Sequence, residues 1–481
     1  MTSALDALRA LQGQDLPVQG GRTLAYVYDS GLDEVDLLGR EAVALYAGSN
    51  GLDPTAFPSL LAMENDLVGF AARLLDAPST VVGSVTSGGT ESVLLAVQTA
   101  RDAYPTIESP EMVLPDTAHA AFHKAAHYFG VRPVIVPVGT DFRADASAMA
   151  AAVGPRTVLV VGSAPSYAHG VVDPIPALAA TAARAGVRCH VDACIGGWVL
   201  PYATRLGRSV PPWTFAVEGV TSMSVDTHKY AYAPKGTSLL LHREAALRAP
   251  QFFSSAQWPG YTMLNSTMQS TRSGGPVAGA WAVVRHLGDE GYLAVARDVF
   301  AAVDQLVAGI AAQPGLSLLA RPDSTLLAVT TDASCDPFTI CDEMKLRGWY
   351  VQPQMTYAHS ATLTTPANLH LSVSAATLAH VDDFLSALAD SVSTAQNAGP
   401  VQVDADVVAF IEALDPVALS DADFDGLLSA SGLVTAGGAD LALPEAMADV
   451  NALLDVAAPA MREALLKAFL DRLSRPASGL L

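Results

Sequence analysis

The stretch "SVDTHKYAYAPKG", Ser224 to Gly236, places Lys229 and Lys235 close together in a chain with only five lysines. A lysine at the end of an apolar strand is poorly solvated. Its neutral amine can then attack a carbonyl and form a Schiff base. Further upstream, "SVTSGGTESVLLA" predicts a strand ending at Thr86, a turn through two glycines, and a helix opening at Thr90-Glu91-Ser92. Free N–H groups and the positive end of a helix dipole would point into that turn, which suits a phosphate. The same pattern also describes an ordinary capped helix. Between the two lies "RCHVDACIGG", in which Asp192 ends a buried apolar strand. A buried carboxylate needs a partner. A protonated ring nitrogen is one candidate, and the N–H groups of the following turn are another.

The order of these segments is more specific than any one of them. A phosphate turn, then an acid on a later strand, then a lysine match the three handles of pyridoxal 5′-phosphate (PLP): its phosphate, its ring nitrogen and its aldehyde. "CHVDAC" also suggests a metal site. Alternation along a strand, however, turns Cys189 away from His190, Asp192 and Cys194, so no metal is expected.

The elements that must hold these residues follow from periodicity. "VVGSVTSGG", "RPVIVPV", "RTVLVVGSAP", "VRCHVDAC", "GVTSMSVD" and "GTSLLLH" read as short strands, most of them separated by helical stretches. This is the pattern of an α/β domain with a mostly parallel sheet covered by helices on both faces. Residues 1–56 read as an N-terminal arm with a tyrosine segment and a helix, and residues 57–276 as the large α/β domain. Residues 277–396 open on a long helical pattern and continue as a smaller α+β domain. Residues 397–481 read as an acidic, Ala- and Asp-rich helical extension.

The net charge of -21 argues against binding to nucleic acid or to an anionic membrane surface. Four cysteines do not suggest a disulfide framework. Neither a signal peptide nor an apolar run of the roughly 20 residues needed to span a bilayer is evident, so a cytoplasmic protein without a membrane anchor is expected.

The segments "TSGGTES", "PDTAHAAFHKAAHYFG", "SAPSYAHGVVDP", "HVDACIGG" and "SVDTHKYAYAPKGTSLLL" resemble, in order, those of the PLP-dependent group II decarboxylase superfamily. Within it the chain resembles the sphingosine-1-phosphate lyase family, of the soluble bacterial type, over roughly Ala25 to Val392. The resemblance implies PLP fold type I, the aspartate aminotransferase-like fold, and a homodimer. It implies Lys229 as the Schiff-base lysine, Asp192 as the ring-nitrogen partner and His119 as the residue stacked on the cofactor ring. Gly89, Thr90 and His228 would bind the cofactor phosphate, and Gly275 would approach it from the partner subunit. Tyr167 would stand near the substrate, Lys235 on the substrate phosphate, and Tyr28 at the channel mouth. Two departures touch these segments: Ala231 stands where the family has glycine, and Ser273 where it has proline. A third, Asp53 near the place of a family histidine, would disfavour an anionic substrate.

The resemblance implies a carbon–carbon lyase. Its reaction would be retro-aldol cleavage of a phosphorylated 2-amino-3-hydroxy compound to an aldehyde and phosphoethanolamine, with Tyr167 or a substrate phosphate oxygen taking the hydroxyl proton. An amino-acid decarboxylase is the alternative within enzymes. "NLHLSVSAAT" lacks the arginine with which many such enzymes hold an α-carboxylate, so a substrate without a carboxylate is favoured. A PLP-binding interaction protein without catalysis is the non-enzymatic alternative.

Overall fold

The computed structural model describes residues 2–430 and 446–475. The chain divides into two units. The first comprises Met1–Val307, Leu319–Ala328 and Leu371–Val381; the second comprises Ala308–Leu318, Val329–His370 and Asp382–Leu481.

The first unit is built on a seven-stranded sheet. Its strands are β1 (Val82–Thr86), β2 (Glu111–Pro115), β3 (Arg132–Val136), β4 (Thr157–Ser163), β5 (Arg188–Asp192), β6 (Ser222–Asp226) and β7 (Ser238–His242). Their order is β1-β7-β6-β5-β4-β2-β3. Only β7 runs against its neighbours, pairing antiparallel with both β1 and β6. The mostly parallel sheet expected from the strand and helix alternation is therefore present. The strands β2, β4, β5 and β6 are buried along their whole length, as befits a sheet covered on both faces.

β2 was not among the expected strands. Its apolar run is only Met112, Val113 and Leu114, bracketed by Glu111 and Pro115. Burial of Glu111 is tolerated because Arg132 and Arg156 reach its carboxylate at 2.6 and 2.5 Å. The long helical pattern after Gly275 forms Gly275–Ala312, but the run bends at Gly288, whose φ of 55° suits a residue without Cβ.

Within the expected arm, helices form at Thr2–Gln12 and Asp33–Leu45. The tyrosine segment between Gly21 and Asp29 is tied to the first unit by a bond from Ser372 N–H to Leu24 O at 2.7 Å.

A four-stranded sheet runs in the order Leu316–Leu318, Leu326–Thr331, Asn368–Ser372, Gln352–Gln354, with Leu326–Ala328 and Leu371–Ser372 counted in the first unit and its other residues in the second. Helices Ala405–Ala413, Asp421–Ala430, Ala448–Val456 and Pro459–Leu473 lie in the second unit. They share an apolar cluster around Ile411, Phe424, Leu453, Met461 and Leu465. Carboxylates anchor them. Asp342 accepts from Met447 N–H and Ala448 N–H at 2.7 Å, which caps the helix that begins there, and Asp336 accepts from Val401 N–H at 2.9 Å. Among the described residues no helix is long and apolar enough to cross a membrane.

Candidate active site

The carboxyl ends of β1, β4, β5 and β6 open on one cavity of about 390 Å³. Ligands of open α/β sheets bind at this end of the strands. The cavity is lined by Lys229, Asp192, His119, Tyr167, Gly89, Thr90 and His228, so seven of the expected site residues meet in one place.

Lys229 follows β6 in a tight turn, and its Nζ lies 2.9 Å from Asp226 Oδ2. Burial pulls the Lys229 ammonium down, but the Asp226 carboxylate more than offsets this and holds it above the usual lysine range. Burial in turn pushes Asp226 up, and Lys229 with His228 brings it below the usual carboxylate range. His228 Nδ1 donates to Thr237 O at 2.7 Å, and its Nε2 stands 3.6 Å from Asp226 Oδ2. Sequence reasoning missed Asp226. The signal was the spacing in "DTHK", which returns a carboxylate one turn before the lysine.

The helix Gly89–Asp102 points its first turn at the cavity. Ser87 N–H is taken by Glu91 Oε2 at 2.5 Å, and Glu91 Oε1 also accepts from Met268 N–H at 2.7 Å. Gly89 packs against the lysine's partner. A Cβ there would stand 2.8 Å from both Asp226 carboxylate oxygens and from Cys194 Sγ. Only a glycine fits, so the backbone forms the floor of a cradle.

Asp192 realises the turn-capping alternative and leaves the other open. Its Oδ1 accepts from Cys194 N–H at 3.1 Å and from the Ser224 hydroxyl at 3.2 Å, while the side chain still faces the cavity. Cys194 lines the cavity too, whereas Cys189 does not. His119 Nδ1 accepts from Ala121 N–H at 3.1 Å, and its ring stands edge-on to Tyr167 at 6.5 Å. Burial pushes the Tyr167 phenol well above its ordinary range.

Three expected residues lie outside this lining. Lys235 Nζ sits 5.1 Å over the Tyr28 ring and donates to Tyr26 O at 2.8 Å. The lysine is exposed at the surface, yet enough protein surrounds it to push the ammonium down to about 8, with Lys229 adding to the effect. Tyr28 meets Tyr230 edge-on at 5.0 Å; burial raises its phenol, with Lys229 opposing. Gly275 opens the long helix against Val43, where a Cβ would stand 2.9 Å from the Val43 carbonyl oxygen, and it is not brought to the cavity of its own chain. Asp53 lies in an exposed turn, accepting from Thr55 N–H and Oγ1 at 2.8 and 2.6 Å.

Residues 22–330 match the profile of the pyridoxal-dependent decarboxylase conserved domain. The chain belongs to the pyridoxal-dependent decarboxylase family. Its cofactor is PLP, and the cavity fits that group on its own geometry. A helix N-terminus over a glycine floor suits a dianion, and an amine and a carboxylate stand within the same walls. In this family the chain is 39% identical to a sphingosine-1-phosphate lyase of Arabidopsis thaliana over 75% of this chain and 66% of that protein. It is 37% identical to one of Oryza sativa over 82% of this chain and 74% of that protein. Among solved structures it matches the sphingosine-1-phosphate lyase of Burkholderia pseudomallei with a TM-score of 0.77 and 34% identity, covering 82% of this chain and 91% of that one. A glutamate decarboxylase of Lactobacillus brevis shares the fold, with a TM-score of 0.72 at 20% identity. Residues 405–472 match a second profile, described as a C-terminal putative HTH domain of pyridoxal-dependent enzymes.

Proposed function

We propose that this protein is a PLP-dependent carbon–carbon lyase. Its reaction would be retro-aldol cleavage of a phosphorylated 2-amino-3-hydroxy compound to an aldehyde and phosphoethanolamine. The observation that carries this reading is the convergence of Lys229, Asp192, His119 and the helix N-terminus at Gly89 in one cavity. The likeness to sphingosine-1-phosphate lyases over most of the chain supports the choice of lyase.

Bound PLP supplies an electron sink for the pair released when the Cα–Cβ bond breaks. The protein supplies the rest. Lys229 would anchor the cofactor aldehyde, and Asp192 would keep the ring nitrogen protonated. His119 would stack on the ring, and Gly89, Thr90 and His228 would hold the phosphate. Tyr167 is held protonated by burial, which suits a donor that orients the substrate's 3-hydroxyl oxygen. The base that takes the hydroxyl proton is then a substrate phosphate oxygen. Lys235, close to Tyr28, offers that phosphate a cation.

The homodimer belongs to this proposal, with Gly275 approaching the partner's site. The hairpin Phe253–Ser255 and Met263–Asn265 supports it, because Phe253, Trp258, Tyr261 and Leu264 are all exposed there, an apolar patch suited to a covered face. Light scattering of the full chain should report two copies, and a fully active monomer would refute the pairing. The HTH-like segment carries twelve acidic and three basic residues, a balance that repels a phosphate backbone. The four cysteines are free and buried, which suits the reducing cytoplasm.

The deciding experiment offers the holoenzyme a panel of phosphorylated amino alcohols and plain amino acids, with product masses measured. An aldehyde and phosphoethanolamine are expected. Release of carbon dioxide from an amino acid instead would establish the decarboxylase alternative, to which a probable L-aspartate decarboxylase of Pyrococcus furiosus, 31% identical, lends some support.

A further inference from the structure

A series of hydrogen bonds runs through the buried sheet behind Asp192. β5 and β6 are parallel neighbours, with His190 beside Ser222 and Asp192 beside Ser224. Positions two apart on a strand share a face, so these four side chains project together. His190, Ser222 and Ser224 are sealed from water, and Phe122 packs edge-on against the imidazole at 6.0 Å.

The direction of each bond follows from counting hydrogens. A carboxylate only accepts, so the Ser224 hydroxyl donates to Asp192 Oδ1 at 3.2 Å. That uses the one hydrogen of Ser224. Its oxygen must therefore accept from His190 Nε2, which lies 3.2 Å away. Burial pulls the His190 imidazole down to about 4 against the opposing pull of Asp192, so the ring is neutral near pH 7. With hydrogen on Nε2, Nδ1 is an acceptor, and the Ser222 hydroxyl donates to it at 2.9 Å. Every bond then points the same way, from Ser222 through His190 and Ser224 to Asp192. The series holds Oδ1 from behind while Cys194 N–H holds it from the turn. Oδ2 is left as the oxygen to face the cavity.

We propose that His190 and Ser224 are positioning residues, which lock the Asp192 carboxylate toward the cofactor's ring nitrogen through a His190 ring fixed as the Nε2–H tautomer. The proposal rests on the reading of Asp192 as the ring-nitrogen partner. A buried imidazole between two hydroxyls is a demanding way to fill a sheet, because an unmatched member would be costly. What the arrangement achieves is a carboxylate that cannot rotate.

The first test uses the cofactor-free protein labelled with ¹⁵N-histidine. The His190 signals are identified by their loss in His190→Gln. Nε2 should appear protonated and Nδ1 unprotonated, unchanged through the range where a free imidazole titrates. An Nδ1–H ring, or one that titrates there, overturns the proposal. The second test measures PLP affinity. Ser224→Ala should bind about tenfold more weakly or worse, measured at a temperature where its own unfolding transition shows the cofactor-free variant to be folded. His190→Gln, whose amide can still donate to Ser224, should keep most of the affinity that His190→Leu loses. Undisturbed affinity in Ser224→Ala overturns the proposal. Should that variant fail to fold, the tautomer of the unsubstituted chain decides. Asp192→Asn separates the two levels. If it binds PLP normally with an unchanged absorbance maximum, the reading of Asp192 falls. If it binds weakly while Ser224→Ala binds normally, that reading stands and the positioning series falls.

Discussion

Replacing Asp226 with asparagine tests how the lysine is held ready. Asn keeps the size of the side chain and removes the charge that stands 2.9 Å from Lys229 Nζ. Two unit charges at that distance attract by ~6 kcal/mol at an effective dielectric of about 20. The Lys229 side chain keeps 20% of its surface in water against 2% for Asp226. Allowing for that screening, about half, ~3 kcal/mol, is a working figure, equal to about two pH units on the lysine. The assay adds PLP to cofactor-free protein and follows visible absorbance as Lys229 captures it, over a series of pH values. In the unsubstituted protein the ammonium is held above its ordinary range, so the capture rate should climb through neutral pH without levelling. In Asp226→Asn the rate should level off about two pH units lower. Coincident profiles would refute the argument that this carboxylate governs the lysine. Stability gives an independent check. The raised lysine contributes stability that is present below its ordinary pKa and lost as pH rises through the folded value. The lowered carboxylate contributes stability that is present above its ordinary pKa and lost as pH falls through the folded value. The pair therefore stabilises the whole neutral range. The ~3 kcal/mol cost of Asp226→Asn should fade in acid, where the original Asp226 is itself protonated.

Two further substitutions probe the cavity's surroundings. Lys235→Ala should lower kcat/KM for phosphorylated substrates about ten- to a hundredfold, the range of a charge-assisted contact, and leave unphosphorylated ones nearly unchanged. Equal losses would mean that Lys235 supports the cofactor or the fold. Asp173 is buried, where it accepts from Ala144 N–H and Ser163 N–H at 2.8 and 2.7 Å, and burial lifts it from 3.8 to about 6. A raised carboxyl stabilises the fold fully below its ordinary pKa, and that contribution is lost as pH rises through about 6. The stability advantage of the original over Asp173→Asn should therefore shrink by ~3 kcal/mol across that window, as read by denaturant unfolding. A difference independent of pH would refute the assignment.

Lys229, Asp192 and the turn at Gly89 were legible because each ends a strand, and a parallel sheet gathers such ends on one edge. Strand endings are local features, written in apolar runs and the turn residues that stop them. The order of the segments along the chain then named the cofactor without any contact being known. Their order across the sheet was not legible. β2 lies between β4 and β3, and β7 is inserted antiparallel between β1 and β6. Strand order is set by how helices and strands pack, and no single stretch of residues encodes it.

Position relative to other residues was decided only by the tertiary structure. Asp226 looked like one more strand residue until the turn after β6 brought Lys229 back onto it. His190 and Ser224 are 34 positions apart and became partners through the register of β5 against β6. Gly275, expected to approach the phosphate of a partner subunit, packs within its own chain against Val43, a neighbour far away in sequence. Residue types and their local spacing determine what chemistry a chain carries, because ionisation and backbone conformation are local properties. Which of those groups face one another, and at what distance, depends on register and long-range packing, because both free energies sum over residues far apart in sequence.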